Sequence, residues 1–438
     1  MSRLVLVKNL KQHQKINKIV KDCNVKEIQK FSLTNLYTKK KEVETLDVFE
    51  VEKDKILVAI PFSYYYHNLT SITTIDFDYS KIEMRFVGEL LERQKILKED
   101  VFEILNRTGS ILLCLHTGFG KTIFALYIAS KIKMKTIVLC HRKIIIDQWY
   151  NSIQKYLPNV SVEILNPKKK PTADIVIGNV LTVPKCNEGI LSRDTFKDYG
   201  TLLLDEIHTV CTEQFSKALY HIYPKCVIGL SATPERSDGM DKIIQLYIGP
   251  EGVYKDMWRI FNVYKLPTEF TPEVMRNLDG SIDWNSALSS QANSKERNDL
   301  IVKCVRYFRS RKILILVKRK EHAYQLKELM FQLGEDVDTF MESDKNANYE
   351  CRILIATYSK GGVGFDHPGL DMLIGAADVE ENFMQYLGRV FRKDNTAPIY
   401  LDLIDNNPIM KKHSLTRLKI CTSVGGVVRK FHECFPSF

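Results

Sequence analysis

The residues best equipped for chemistry in this sequence begin with a small-residue loop, His116-Thr117-Gly118-Phe119-Gly120, which runs directly into Lys121-Thr122. Glycines let a backbone approach a ligand closely, and the N–H groups of such a loop, with the positive end of a following helix, form a seat for phosphate. In that seat Lys121 reaches terminal phosphates and Thr122 holds Mg²⁺. A second centre is Asp205-Glu206, directly after Leu202-Leu203-Leu204. Adjacent carboxylates at a strand end can divide a hydrolytic task, with Asp205 holding the metal through water and Glu206 orienting or deprotonating the attacking water. A third is Gln385-Tyr386-Leu387-Gly388-Arg389-Val390-Phe391-Arg392. On a helix Gln385, Arg389 and Arg392 share a face, and paired guanidiniums suit the charge that develops on a transferred phosphoryl group.

Met singly, each stretch has a plainer reading as a turn, a helix cap or a solvated basic face. The elements around them decide otherwise. The apolar run 111–115 reads as a strand, and apolar residues at helical spacing follow Lys121, so the loop lies at a strand-to-helix junction. Strand-sized apolar runs at 136–140, 174–178, 202–204 and 226–230 alternate with helical stretches such as 144–156, the pattern of a parallel sheet covered by helices. Arg142, Asn179 with Thr182, Asp205-Glu206, and Ser231-Ala232-Thr233 each follow one of these runs, and ligands of such sheets collect beyond the carboxyl ends of the strands. From about residue 254 the pattern lapses into a connector, then resumes with a capped helix from Asn293 and strands at 312–317, 351–356, 372–374 and 399–401. Thr357 follows the second of these, and Gly364 and Asp366 lie in the glycine-rich segment beyond it. The second lobe has no phosphate loop of its own.

Ahead of both lobes, residues 1–87 read as a small α+β module, with a hairpin formed by runs at 46–51 and 56–60. Its Tyr64-Tyr65-Tyr66 cluster is either a platform for stacking bases or half core and half surface. An amphipathic helix then carries Gln94, an amide able to read an adenine edge or simply an exposed helix residue. The expected fold is α/β: two tandem parallel-sheet lobes, 88–253 and 254–407, after the N-terminal module. Residues 408–438 form a tail, read equally as a basic arm or as a helix packed back on the second lobe.

A chain of 438 residues with 45% hydrophobic and 26% charged residues has material for several real cores, which sets aside disordered and fibrous classes. The net charge of +10 suits a polyanionic partner without proving one. Ten cysteines stand singly, with no Cys-x-x-Cys pair, which argues for reduced thiols inside a cell and against structural zinc or an iron–sulfur cluster. Apolar runs are strand-sized, so no membrane span is expected, and the run 4–7 is too short for a signal peptide.

Together these residues resemble a superfamily 2 helicase or translocase of the DExH type, over roughly residues 88–405. HTGFGKT resembles motif I, CHRKIIIDQW motif Ia, GNVLTV motif Ib, DEIH motif II, SAT motif III, ATYSKGGVGFD motif V and QYLGRVFR motif VI. GLSATPERSDGMD is similar to the branch of the xeroderma pigmentosum group B DNA helicases and the poxvirus transcript-release helicase, and the layout is nearest to members from large cytoplasmic DNA viruses. The segment Leu91-Glu92-Arg93-Gln94 departs from that branch, which has an arginine and a tyrosine before the glutamine. The resemblance implies RecA-like lobes with ATP between them, held by residues 116–122, Gln94, Gly364 and Asp366, with Mg²⁺ on Thr122 and Asp205. It implies Arg389 and Arg392 acting on the phosphates with Gln385, nucleic acid touched by Arg142, Asn179, Thr182 and Thr357, and coupling through Ser231, Ala232 and Thr233. It further implies a motor on DNA moving 3′ to 5′ in viral transcription, with a viral RNA polymerase or termination factors as partners and no membrane. An RNA helicase, a repair motor and a nucleic-acid-binding scaffold without hydrolysis remain open beside it.

Overall fold

The computed structural model describes residues 2–6, 23–28, 43–47, 50–51, 57–69, 77–185, 193–207, 217–232, 241–278, 280, 282–341, 348, 350–361, 367, 369–379, 383–391, 396–436 and 438. The chain divides into two compact units, Met1–Lys255 and Asp256–Phe438.

The first unit opens with β1 (Ser2–Leu6), β2 (Asn24–Ile28), β3 (Val43–Asp47), β4 (Glu50–Val51) and β5 (Leu57–Pro61), of which β1, β5 and β4 form an antiparallel sheet and β2 pairs with β3. The run expected as one strand at 46–51 is therefore shared between two sheets, and the expected turn at 52–55 lies outside the described residues. Helix Phe62–Asn68 packs against helix Asp241–Tyr247. Tyr64 is buried, and Tyr65 and Tyr66 are half-buried against the core, so the tyrosines are packing residues and not an open base-stacking platform.

The main sheet of this unit consists of β6 (Ser110–Leu115), β7 (Thr136–Cys140), β8 (Val162–Ile164), β9 (Ile175–Asn179), β10 (Thr201–Leu204), β11 (Cys226–Ser231) and β12 (Gly252–Lys255). All are parallel, in the order β12-β6-β11-β10-β7-β9-β8. β6, β7 and β10 are buried at every residue, as continuous aliphatic runs must be when helices cover both faces of a sheet.

The second unit is another parallel sheet, of β13 (Phe261–Pro267), β14 (Ile313–Val317), β15 (Val337–Phe340), β16 (Ile353–Thr357), β17 (Met372–Gly375), β18 (Ile399–Ile404) and β19 (Gly426–Lys430), in the order β15-β16-β14-β17-β18-β13-β19. The stretch expected as a connector thus contains β13 and helix Trp284–Asn293. The polar residues that interrupt β13 fall at half-buried positions and hide its strand character. Residues 408–438 are no separate tail: helix Pro408–Ser423 contacts β18 and β19, and β19 is an edge strand of the sheet.

Candidate active site

The loop after β6 is shaped by its own backbone. Gly118 and Gly120 have φ of +83° and +88°, the left-handed region that glycine adopts at little cost, and helix Lys121–Ile132 starts directly after them. The side of the loop facing away from a ligand is held by the start of helix Glu92–Thr108. Arg93 donates to Gly118 O at 2.8 Å and its guanidinium lies 5.4 Å from the Phe119 ring centroid. Gln94 Nε2 donates to Phe119 O at 3.1 Å and Gly120 O at 3.2 Å, while its Oε1 accepts from Leu91 N–H at 2.9 Å. Because a trans peptide places C=O and the next N–H on opposite sides, carbonyls of Phe119 and Gly120 turned to Gln94 send the N–H groups of Gly120 and Lys121 the other way.

Gln94 is only 1% exposed, so the expectation of a surface helix residue is corrected. Both ends of its amide engage the protein, and a Cβ at Gly120 would lie 2.6 Å from its Nε2. His116 and Thr117 are half-buried, with His116 Nδ1 2.7 Å from Thr117 O, and Phe119 is buried. Lys121 reaches back over the loop to donate to Leu115 O at 3.1 Å, and Thr122 is the next residue of the helix.

The strand order puts β11 between β6 and β10, so Ser231 ends the strand between the glycine loop and the acidic pair. Ser231 is buried, Ala232 is half-buried and accepts from Cys114 Sγ at 3.8 Å, and Thr233 lies outside the described residues. Asp205 follows β10 and is buried. Its Oδ2 accepts from Trp149 Nε1 at 2.8 Å and its Oδ1 from Glu206 N–H at 3.0 Å. Burial, reinforced by the neighbouring Glu206 carboxylate, pushes the Asp205 carboxyl up to about 6, against the opposing Trp149 hydrogen bond and the Lys121 charge. Lys121 and Asp205 thus stand beyond the carboxyl ends of β6 and β10, two strands of the same sheet. Glu206 sits at φ +50°, a conformation that costs an ordinary residue energy and recurs at functional sites. The oxygen donors Asp205 and Thr122 are of the hard type Mg²⁺ takes, and a buried carboxylate beside a second one is a setting that a cation relieves.

Trp149, on helix Lys143–Tyr156, is the site residue that motif reading missed. Its signal was a tryptophan within an otherwise aliphatic face, because a buried indole N–H needs an acceptor. At the ends of the adjacent strands β7 and β9 stand exposed Arg142 and half-buried Asn179 and Thr182. Asn179 ties the two ends together by donating to His141 O at 3.2 Å and accepting from Leu181 N–H at 2.9 Å.

In the second unit Thr357 ends β16 and is buried, its Oγ1 3.0 Å from Ser359 Oγ. Gly364, Asp366 and Arg392 lie outside the described residues. The arginine segment is not the single helix expected: helix Phe383–Leu387 tightens into a 3₁₀ turn over Gly388–Val390, where Gly388 is a weak helix former. Gln385 is half-buried and Arg389 buried. No described helix is long and apolar enough to cross a membrane.

Comparison with known proteins follows the same lines. Residues 79–236 match the family described as Type III restriction enzyme, res subunit. The candidate helicase 161L of Invertebrate iridescent virus 6 is 34% identical over 378 residues, covering 80% of this chain and 84% of that protein. The candidate ATP-dependent RNA helicase L396 of Acanthamoeba polyphaga mimivirus is 26% identical, covering 78% of this chain and 69% of that one. Among solved structures, Mycobacterium smegmatis helicase Lhr bound to ssDNA and AMP-PNP aligns with a TM-score of 0.53 at 14% identity over 76% of this chain, which spans 48% of the Lhr chain. S. cerevisiae Dbp5 bound to RNA and ADP BeF3 aligns with a TM-score of 0.53 at 15% identity, covering 78% of this chain and 94% of that one. Likeness at these identities establishes the fold, a pair of RecA-like parallel-sheet lobes.

Proposed function

This chain belongs to the superfamily 2 helicases of large DNA viruses, and from that premise we propose that it is a nucleic-acid-stimulated ATPase that moves along DNA, 3′ to 5′, in viral transcription. The observation that carries the reading is one parallel sheet that presents a glycine-shaped phosphate seat after β6 and a buried carboxylate pair after β10, with the Lys121 charge acting on Asp205. In this reading the loop N–H groups and Lys121 bind the ATP phosphates, and Glu206 orients the attacking water. Arg389 and Arg392 stabilise charge on the transferred phosphoryl group, with Gln385 beside them. Asp205 and Thr122 hold Mg²⁺, which when bound neutralises phosphate charge. Arg142, Asn179, Thr182 and Thr357 touch nucleic-acid phosphates, contacts that carry little sequence information, and Ser231 to Thr233 couple the two sites.

The transcription role, with a viral RNA polymerase or a termination factor as partner inside the infected cell, rests on the GLSATPERSDGMD similarity. A second reading, movement on RNA, is favoured by the name of the mimivirus relative. Steady-state ATP hydrolysis with single-stranded DNA, duplex DNA or single-stranded RNA, beside Lys121→Ala, separates these. DNA stimulation that is lost in Lys121→Ala supports the DNA motor. Stimulation by RNA alone replaces the substrate, and no hydrolysis under any condition sinks the ATPase reading.

A further inference from the structure

Residues 376–379 follow β17 on the way to the arginine segment, and side chains from other parts of the second unit hold every one of them. Arg297 Nη1 donates to Ala376 O, and Tyr358 OH donates to Ala377 O at 2.8 Å. Asp378 N–H donates to Gln291 Oε1 at 3.3 Å, and Arg417 Nη1 donates to Val379 O at 2.7 Å. The Asp378 carboxylate pairs with Arg417 at 2.8 Å and with His413. Arg417 is fixed in turn by Asp402, which also accepts from Tyr400 OH at 2.7 Å and from Ser414. Arg297 is fixed by Asp405 at 2.9 Å.

The same aromatics touch the arginine segment itself. The Tyr358 ring lies 4.8 Å from the Tyr386 ring, and the Tyr400 ring 5.0 Å from that of Phe383. On the far side of Arg389, Arg259 donates to Phe391 O at 2.6 Å and to Thr396 O at 2.8 Å. The segment that carries Arg389 is thus held on both sides of it, at Phe383 and Tyr386 before and at Phe391 after.

Burying a guanidinium between carboxylates adds little net stability, because desolvation offsets most of the attraction. A network of buried ion pairs that converges on one short segment is therefore better explained by the geometry it fixes than by net stability. We propose that Arg417, with Tyr358, is a positioning residue for Arg389: it fixes the entrance of the arginine segment so that the guanidinium is already in place when phosphoryl charge develops. This rests on the ATPase reading above.

The test is a double-mutant cycle on ATP hydrolysis in the full chain at saturating nucleic acid. Arg417→Lys keeps the charge but loses the forked bonds to Asp378, Val379 and Asp402, and Tyr358→Phe removes only the hydroxyl. Arg417→Lys is expected to lower kcat about tenfold or more, and Tyr358→Phe about threefold, with KM for ATP within about twofold of wild type. In an Arg389→Ala background the same changes should add less than about a twofold loss, because the group they position is gone. Losses that multiply undiminished in that background, or that fall on KM with kcat preserved, overturn the proposal and leave the ATPase reading standing. Wild-type protein without hydrolysis overturns both. Should Arg417→Lys not fold, Tyr358→Phe decides by the same cycle.

Discussion

In the first lobe the reactive groups hang on local backbone: Gly118 and Gly120 at positive φ, a helix that begins at Lys121, and Glu206 at φ +50° straight after Asp205. In the second lobe the stretch 376–379, between β17 and the arginine segment, is held instead by Gln291 with Arg297, by Tyr358 and by Arg417, which come from three separate stretches of the chain. Both arrangements keep a charge still at the carboxyl end of a parallel sheet. The first does so with a few contiguous residues, the second with side chains brought together only by folding. Sensitivity to substitution should therefore be concentrated in the first lobe and spread out in the second.

The sharpest way to break this contrast is to remove one charge from each lobe. Arg389→Ala should lower kcat roughly a thousandfold, the scale of a lost arginine acting on transferred phosphoryl charge, while nucleotide affinity stays near wild type. Lys121→Ala should lose roughly a hundredfold or more in kcat/KM and should also weaken binding of a fluorescent nucleotide, because in the proposed reading its charge acts on bound phosphate throughout. If both variants lose binding equally, the lobes do not divide seat from stabiliser in this way.

A smaller effect concerns Trp149, whose indole holds the buried Asp205 carboxylate. Trp149→Phe keeps the ring and drops the donor. The Mg²⁺ concentration for half-maximal hydrolysis should rise about tenfold, the usual scale for losing a partner that orients a metal ligand. Saturating Mg²⁺ should restore most of kcat. A loss of kcat that no Mg²⁺ concentration repairs would instead make Trp149 a packing residue of the core.

The same contrast explains which parts were legible in the sequence. Contiguous chemistry was visible: the loop 116–122, the acidic pair, and the aliphatic strands β6, β7, β10 and β14 all announce themselves by residue type and spacing. What depended on distant partners was not. Gln94 reads as a surface glutamine until the loop carbonyls of Phe119 and Gly120 fold against it. Arg417 reads as one cation of a basic tail until Asp402 and Asp378 surround it. β13 and β19 escaped because polar residues break their apolar pattern, β13 at half-buried positions and β19 as an exposed edge strand. The arginine segment was seen, but its change from α-helix to a tighter turn at Gly388 was not, although a glycine inside a helical stretch is the signal for it.

The smallest effect separates the lobes by the sign of their response to pH. Asp205 has its carboxyl raised from 3.8 to about 6, chiefly by burial, so the folded chain holds that proton longer than the unfolded one. Its contribution to stability is fully present below about pH 4 and is lost as pH rises through about 6. His322 in the second lobe is the reverse case. Buried, with Nε2 2.9 Å from Asn298 Oδ1, its imidazole is lowered from 6.5 to about 3, first by burial and then by the Arg297 charge. Its contribution is present above about pH 6.5 and is lost as pH falls toward 3. Metal-free melting curves of wild type, Asp205→Asn and His322→Gln between pH 4.5 and 7.5 read both signs, since neither replacement titrates. The midpoint of Asp205→Asn relative to wild type should climb as pH rises, whereas that of His322→Gln should climb as pH falls. Any constant offset from a lost hydrogen bond leaves these slopes untouched, so slopes of the same sign would show that one of the two groups does not titrate as its burial dictates.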